Sequence, residues 1–313
     1  MTLQSTRSAP RKNKPRPRNA VDYIDRNLKW ILTVPAVAFV ALLIAFPIGY
    51  TIFLSVTDAA GAVTRPFDFI GFDNYTHWLT DTRRFWPAVW RTVYFTGLAL
   101  ALELVLGLAI ALLLRKTFRG QGLIRVLILL PLVATPVAVG MMWLLIFEPS
   151  IGFANVAMDW LGLPRQGWLS DKDTALNTII FIDVWQWTPM IVLILLAGLT
   201  TLPEEPDEAA RVDGANAWQR FRHITLPLLM PVIIAAAMLR AIDALKTFDI
   251  IYATKGRGGG SNNEAETLNL LAFGEAFEYS NYGRASALLM LFFGFIVIVL
   301  AVLAILRKKG DRT

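Results

Sequence analysis

The stretch Glu208-Ala209-Ala210-Arg211-Val212-Asp213-Gly214-Ala215-Asn216-Ala217-Trp218-Gln219-Arg220-Phe221-Arg222-His223-Ile224-Thr225-Leu226-Pro227 is polar and helix-prone, yet an apolar segment lies directly on either side of it. Pro203 and Pro206 suit the first turn of a helix, where a missing amide hydrogen costs nothing. Glu204, Glu205, Asp207 and Glu208 then crowd the end where the helix dipole favours negative charge. Ala209, Ala210 and Val212 form a small apolar patch open to close approach by another surface. Asp213-Gly214 breaks the helix, because glycine reaches backbone angles that other residues resist. Asn216 with Gln219 three residues on predicts an N-cap and capping box for a second short helix, Ala217 to Arg222. A charged helical insert between two apolar segments is either a solvated loop or a docking surface for a partner outside the bilayer.

The rest of the chain makes the bilayer the natural setting. Of 313 residues, 55% are hydrophobic, and the mean hydropathy is +0.51; soluble domains are less apolar. Zero cysteines exclude disulfides, thiolate metal sites and cysteine nucleophiles. His77 and His223 lie far apart and read as surface residues, His77 in a loop, so neither a metal site nor a catalytic residue is expected. The net charge of +6 is distributed in a way that points to membrane orientation rather than nucleic acid.

Six apolar runs, about 28–54, 88–114, 123–147, 176–199, 227–251 and 285–306, are each long enough to cross ~30 Å of hydrocarbon at 1.5 Å per residue. The expected fold is therefore an all-α membrane protein of six transmembrane helices. Residues 1–27 are expected to be a disordered basic tail, and 307–313 a second basic tail. A cleavable signal peptide is not expected, since the first run is too long and no small-residue site follows. Six spans put both termini on one side. That side, with the 115–125 and 203–226 loops, carries roughly two-thirds of the 30 Lys and Arg, which places it in the cytoplasm.

The Glu-Ala-Ala, Gly214, Ile224 and Leu226-Pro227 spacing resembles the EAA loop of ABC-importer permeases, the segment that docks on a cytoplasmic ATPase. Phe69-Ile70-Gly71-Phe72-Asp73-Asn74-Tyr75 with Arg84-Phe85-Trp86 resembles the first external loop of sugar-importer permeases. Phe248-Asp249-Ile250-Ile251-Tyr252, a Gly-rich turn and Glu266-Thr267-Leu268 are similar to the MalF-like half of that family. The family's Gly-Gly-Pro is here a longer insert, Gly256 to Gly260, that lacks proline. No Gly-Lys-Ser/Thr follows these glycines, and no Walker A pattern occurs elsewhere, so this is not a nucleotide site. Trp160 and Trp168 in the next outer loop read only as interfacial aromatics.

A charged side chain near the bilayer centre costs at least ~2.5–3.5 kcal/mol. Arg240, Asp243, Lys246 and Asp249 alternate in sign at i, i+3 spacing in the fifth run. They form either a self-satisfied charge ladder or a polar wall along a translocation path. Asp183-Val184-Trp185-Gln186-Trp187-Thr188-Pro189 in the fourth run joins a carboxylate to flat aromatic faces, which suits a sugar; an interfacial Trp pair with a structural Asp is the other reading. Glu103 in the second run is a candidate partner for Arg240 across the bundle. The family resemblance places Asp183 and Trp187, then Arg240, Ala244 and Thr247, at solute-lining positions, and the polar-wall reading adds Asp243. The family uses mostly neutral residues there, so the charges imply a different ligand.

The resemblance implies a type I importer permease with a cytoplasmic coupling helix, in which Glu208, Ala209, Ala210, Asp213 and Gly214 contact the ATPase. It further implies a bacterial inner-membrane assembly with a second homologous permease, two ATPase subunits and an extracytoplasmic binding protein that delivers a sugar-like solute. ATP and Mg would be bound by the ATPases, so this chain needs no cofactor and is not an enzyme. Alternating access would drive uptake. The alternatives are an anionic sugar derivative or glycerol phosphate as solute, a secondary transporter, or a membrane-embedded enzyme.

Overall fold

A computed structural model of the chain describes residues 20–62, 65–116 and 118–310. It divides into two compact units, Met1–Tyr50 and Thr51–Thr313. Helix α1, Ala20–Ser55, forms the first unit up to Tyr50 and its last turn belongs to the second. The second unit continues with α2 (Asp73–Thr80), α3 (Phe85–Arg115), α4 (Gln121–Val133), α5 (Pro136–Ile146), α6 (Phe153–Trp160) and α7 (Ala175–Thr200). Then come α8 (Glu205–Val212), α9 (Ala217–Arg220), α10 (Leu226–Leu245), α11 (Asp249–Lys255), α12 (Leu268–Phe273) and α13 (Tyr282–Gly310). Among the described residues the one β-pairing is an isolated bridge between Thr57 and Phe69.

Among the described residues, five helices are long and apolar enough to cross a membrane, and the bent pair α4–α5 supplies a sixth crossing if it counts as one span. Three expectations need correction. Residues 20–27, expected in the disordered tail, are helical, while 1–19 and 311–313 lie outside the described residues. The third span is not one helix: α4 and α5 meet at 100°. Pro136 disfavours helical angles at the residue before it, and Thr135 is extended, at φ −68° and ψ 145°, and caps α5 through its side chain. The fifth span also ends early, at Leu245, with Phe248 at φ −139° and ψ −57° before α11 resumes.

Helix α7 is the axis of the second unit, and most of its length is buried. Helix α3 lies along it through a stripe at Phe95, Ala99, Glu103, Gly107 and Ala111, whose first members, Ala88 and Thr92, meet the Leu268 segment instead; the stripe is spaced three or four residues apart. Small residues in that stripe bring the backbones together, as is usual where lipid gives no hydrophobic drive between helices. A Cβ at Gly107 would lie 2.9 Å from Cβ of Ile191 on α7, and one at Gly198 would lie 2.8 Å from Val232 on α10. Gly107→Val is therefore expected to lower stability by about 1–3 kcal/mol through overpacking, read as a fall in the thermal midpoint of the purified protein. A midpoint equal to wild type would show that α3 and α7 do not need this approach.

At one rim the Gly71–Tyr75 motif has a packing role. Asn74, buried, donates to the carbonyls of Ser55 and Thr57 at 3.0 and 2.7 Å. Tyr75 donates its hydroxyl to Ser55 Oγ at 2.8 Å, and Trp78 donates to Arg284 O at 2.9 Å. The motif thus ties the exit of α1 to the start of α13 and begins α2, so His77 is helical rather than in a loop. On the same rim Arg84 pairs with Glu266 at 2.6 Å. Burial pushes the Glu266 carboxyl above its ordinary value, against the opposing pull of Arg84. The Gly256–Gly260 turn folds onto this segment: Gly259 at φ +68° would drive any Cβ into the backbone of Ala265 and Glu266.

Candidate functional site

Two features gather the polar residues singled out in the sequence. The first is a charge centre where α3, α7 and α10 meet. Arg240 on α10 is fully buried, and so are Glu103 on α3 and Asp183 on α7. Arg240 donates to Glu103 through Nε at 2.8 Å and NH2 at 3.0 Å, to Asp183 through NH2, and to Asp243 through NH1 at 2.9 Å. The fork geometry of a guanidinium permits this division among three carboxylates. Trp187 covers the group, with its ring centroid 5.2 Å from the guanidinium carbon.

A cavity of about 320 Å³ opens beside this centre, lined by Asp183, Gln186, Trp187, Asp243, Thr247 and Asp249, with Pro136, Lys246, Phe248 and Ile250 completing the wall. The breaks in α4–α5 and after α10 create it, since two unbroken helices would fill that space with side chains. Freed carbonyls at the breaks are satisfied locally. Gln186 donates to Ala134 O at 3.1 Å, and Asn269 donates to Lys246 O at 2.6 Å.

Of the six predicted lining residues, Asp183, Trp187, Asp243 and Thr247 reach the cavity wall. Arg240 stands behind it as the clamp. Ala244 is buried and not part of the wall. The expected charge ladder holds only for its first step, Arg240 to Asp243, because the helix ends at Leu245 and Lys246 and Asp249 fall on the break. Gln186 and the wall residues Pro136, Phe248 and Ile250 were not predicted. Pro136 could have been found, since a proline pair flanks the break.

A second, larger cavity, about 670 Å³, is walled mostly by aromatic and aliphatic side chains, among them Trp143, Phe147, Trp168 and Phe181. Trp168, read above as interfacial only, packs 4.9 Å from the Phe147 ring and donates to Asn155 at 2.8 Å, so it is a structural residue. Trp160 is exposed.

The second feature is the hairpin of α8 and α9. Glu205, Asp207 and Glu208 occupy the first turn of α8. Pro206 lies in that turn and Pro203 precedes the helix. Gly214 closes the turn at φ +83°, with open space where a side chain would be. Both hydrogen bonds of the Asn216–Gln219 capping box are present, at 2.8 and 2.9 Å. The second helix does not stop at Arg222: it passes through a π-turn at Phe221–Thr225 directly into α10. Asp207, read in the sequence only as a charge that the helix dipole favours, also fastens the hairpin by accepting from Arg211 at 2.9 Å and Arg220 at 2.9 Å. Glu208, Ala209, Asp213 and Gly214 are exposed and Ala210 is half-buried. No bond or ion pair among the described residues engages the Glu208 side chain.

Comparison with known proteins adds to this geometry. Residues 103–309 match the family described as binding-protein-dependent transport system inner membrane component. The chain is 36% identical over 289 residues to the trehalose/maltose transport system permease protein MalF of Thermococcus litoralis, covering 92% of this chain and 95% of that one. It is 35% identical over 302 residues to the sulfoquinovosyl glycerol transport system permease protein SmoG of Agrobacterium fabrum, covering 95% and 96%. The fold matches a chain in the crystal structure of a bacterial alginate ABC transporter in complex with alginate pentasaccharide-bound periplasmic protein, at a TM-score of 0.76 and 20% identity, over 95% of this chain and 98% of that one.

Proposed function

Since this chain belongs to the binding-protein-dependent transport system inner membrane components, a family whose members include sugar ABC permeases, we propose that it is the permease subunit of an ATP-driven sugar importer. One observation carries the reading. A continuous helix, Ala217–Leu245, joins the exposed hairpin at one end to the polar cavity at the other. The hairpin docks on a cytoplasmic ATPase, which supplies ATP, Mg and hydrolysis; the permease itself catalyses no reaction. A second homologous permease and an extracytoplasmic binding protein complete the assembly. The likeness to a transporter captured with its periplasmic protein supports the last of these. Both termini lie in the cytoplasm of the inner membrane, on the strength of the Lys and Arg distribution.

The solute occupies the cavity beside Arg240. About 320 Å³ is at the small end for ligand pockets, enough for one or two sugar rings. Trp187 offers a flat apolar face to sugar C–H groups, while Asp243, Thr247 and Gln186 offer hydrogen bonds to hydroxyls. In the assembled importer, Trp187→Ala and Thr247→Val are each expected to cut uptake of the solute by about ten-fold, the scale of one lost contact of about 1–2 kcal/mol. ATPase co-purification would be unchanged. Uptake equal to wild type in both variants would remove the cavity from the transport path. The identity of the relatives' sugars, trehalose and maltose in one and sulfoquinovosyl glycerol in the other, leaves neutral and anionic solutes to be separated by the chemistry of the wall.

A further inference from the structure

We propose that the cavity selects solutes without an acid group: neutral or amine-bearing saccharides rich in O–H and N–H donors are accepted, and anionic ones rejected. The inference rests on the reading of this cavity as the solute site.

The first argument concerns the cations. Arg240 is the residue that would recognise a carboxylate or sulfonate by a two-pronged contact. Four of its five N–H donors are given to Glu103, Asp183 and Asp243, the group is fully buried, and Trp187 covers one face. No fork is left for a ligand. Lys246 is the one other cation on the wall among the described residues. Against these two cations stand three carboxylates lining the cavity, Asp183, Asp243 and Asp249, with Glu103 buried behind Arg240. The enclosure therefore has an excess of negative charge, and an anion entering it meets like charge in a medium that screens weakly.

The second argument is independent of charge. Gln186 lines the cavity and is only 2% exposed. Its Nε2 is given to Ala134 O at 3.1 Å, which fixes the amide and leaves Oε1 as the free end. Among the described residues nothing donates to that buried Oε1. Buried acceptors are nearly always satisfied, so a solute donor that reached Gln186 on the cavity wall would meet an acceptor in need of one. Asp243 adds to the demand: its Oδ2 takes Arg240, and its side chain is 49% exposed. Donors are what the wall lacks. A sugar hydroxyl or a protonated amine supplies them; a sulfonate or carboxylate supplies more acceptors.

The test uses the complete importer in nanodiscs and matched disaccharides in neutral, amino-sugar and sulfonated or uronate forms, with binding followed by tryptophan fluorescence. The neutral or amino form is expected to bind at least about ten-fold more tightly than the anionic one, the size of a single unfavourable charge contact. The double variant Asp243→Asn/Asp249→Asn is expected to narrow that gap to about three-fold or less, whereas Gln186→Leu weakens the neutral and amino probes. Gln186→Glu keeps the shape of the side chain and an acceptor but gives up the donor to Ala134 O, and is expected to favour the amino sugar further; thermal midpoints of both Gln186 variants separate a folding defect from a lost solute contact. Anionic probes that bind as tightly as neutral ones, and lose affinity in the Gln186→Leu variant, would overturn the charge preference while keeping the site. If no probe binds, or if binding ignores both Gln186→Leu and Trp187→Phe, the solute-site reading itself falls.

Discussion

Replacing Arg240 by methionine is expected to destabilise the chain by about 3–5 kcal/mol, the usual cost of removing one partner from a buried ion pair. Glu103 and Asp183 would remain fully buried without the cation that links them, and Asp243 would lose its ion pair with Arg240. The loss falls on the packing of α3, α7 and α10 together, because each contributes at least one member of the centre. Folded yield after detergent extraction and the thermal midpoint by tryptophan fluorescence are the measurements. Arg240→Lys is expected to recover only part of the loss, since a compact ammonium cannot divide itself among three carboxylates as a planar fork does. Restoring apolar character on all sides, in Arg240→Met with Glu103→Leu and Asp183→Leu, is expected to regain more stability than Arg240→Lys. A single methionine variant as stable as wild type would show that the carboxylates do not depend on the guanidinium.

The second large effect is functional and leaves the fold alone. Glu208→Lys, assayed in the assembled importer, is expected to reduce ATP-dependent uptake by more than about ten-fold, on the scale of a hot-spot charge reversal at an interface. Membrane insertion and thermal stability would stay as in wild type. The separation is possible because Glu208 is exposed and, among the described residues, no hydrogen bond or ion pair engages its side chain. Asp207, one residue away, gives the contrast: Asp207→Ala breaks the contacts to Arg211 and Arg220 and loosens the hairpin itself. Co-purification of the ATPase distinguishes the two effects. Normal uptake by the Glu208→Lys importer would remove the hairpin from the coupling path.

Much of this architecture was legible in the sequence, and the reasons are local. Long apolar runs define membrane helices because no water is present to take their backbone groups. The hairpin was readable because a capping box and a positive-φ glycine are contiguous signals. The pairing of Glu103 with Arg240, 137 residues apart, was reachable only from the cost of leaving either charge alone. What was missed depends on tertiary context. The end of α10 at Leu245 has no proline or glycine to announce it; Asn269 and Thr267 take its freed carbonyls from elsewhere in the chain. The Asn74 staple had its residues recognised as a motif, but its partners Ser55 and Thr57 belong to a different helix end. The break at Ala134–Thr135 was there to be read in Pro131 and Pro136, and a hydropathy window averages over it.

The absence of a joint between α9 and α10 has a mechanical meaning. At 1.5 Å per residue, the 29 residues from Ala217 to Leu245 make a strut of about 44 Å. In the proposed importer, whatever tugged its outer tip would tug the Arg240 clamp as well, and a sugar pinning the clamp would resist the tug. Traffic along such a strut would run equally in both directions, so the motor would feel occupancy of the chamber as surely as the chamber would feel nucleotide.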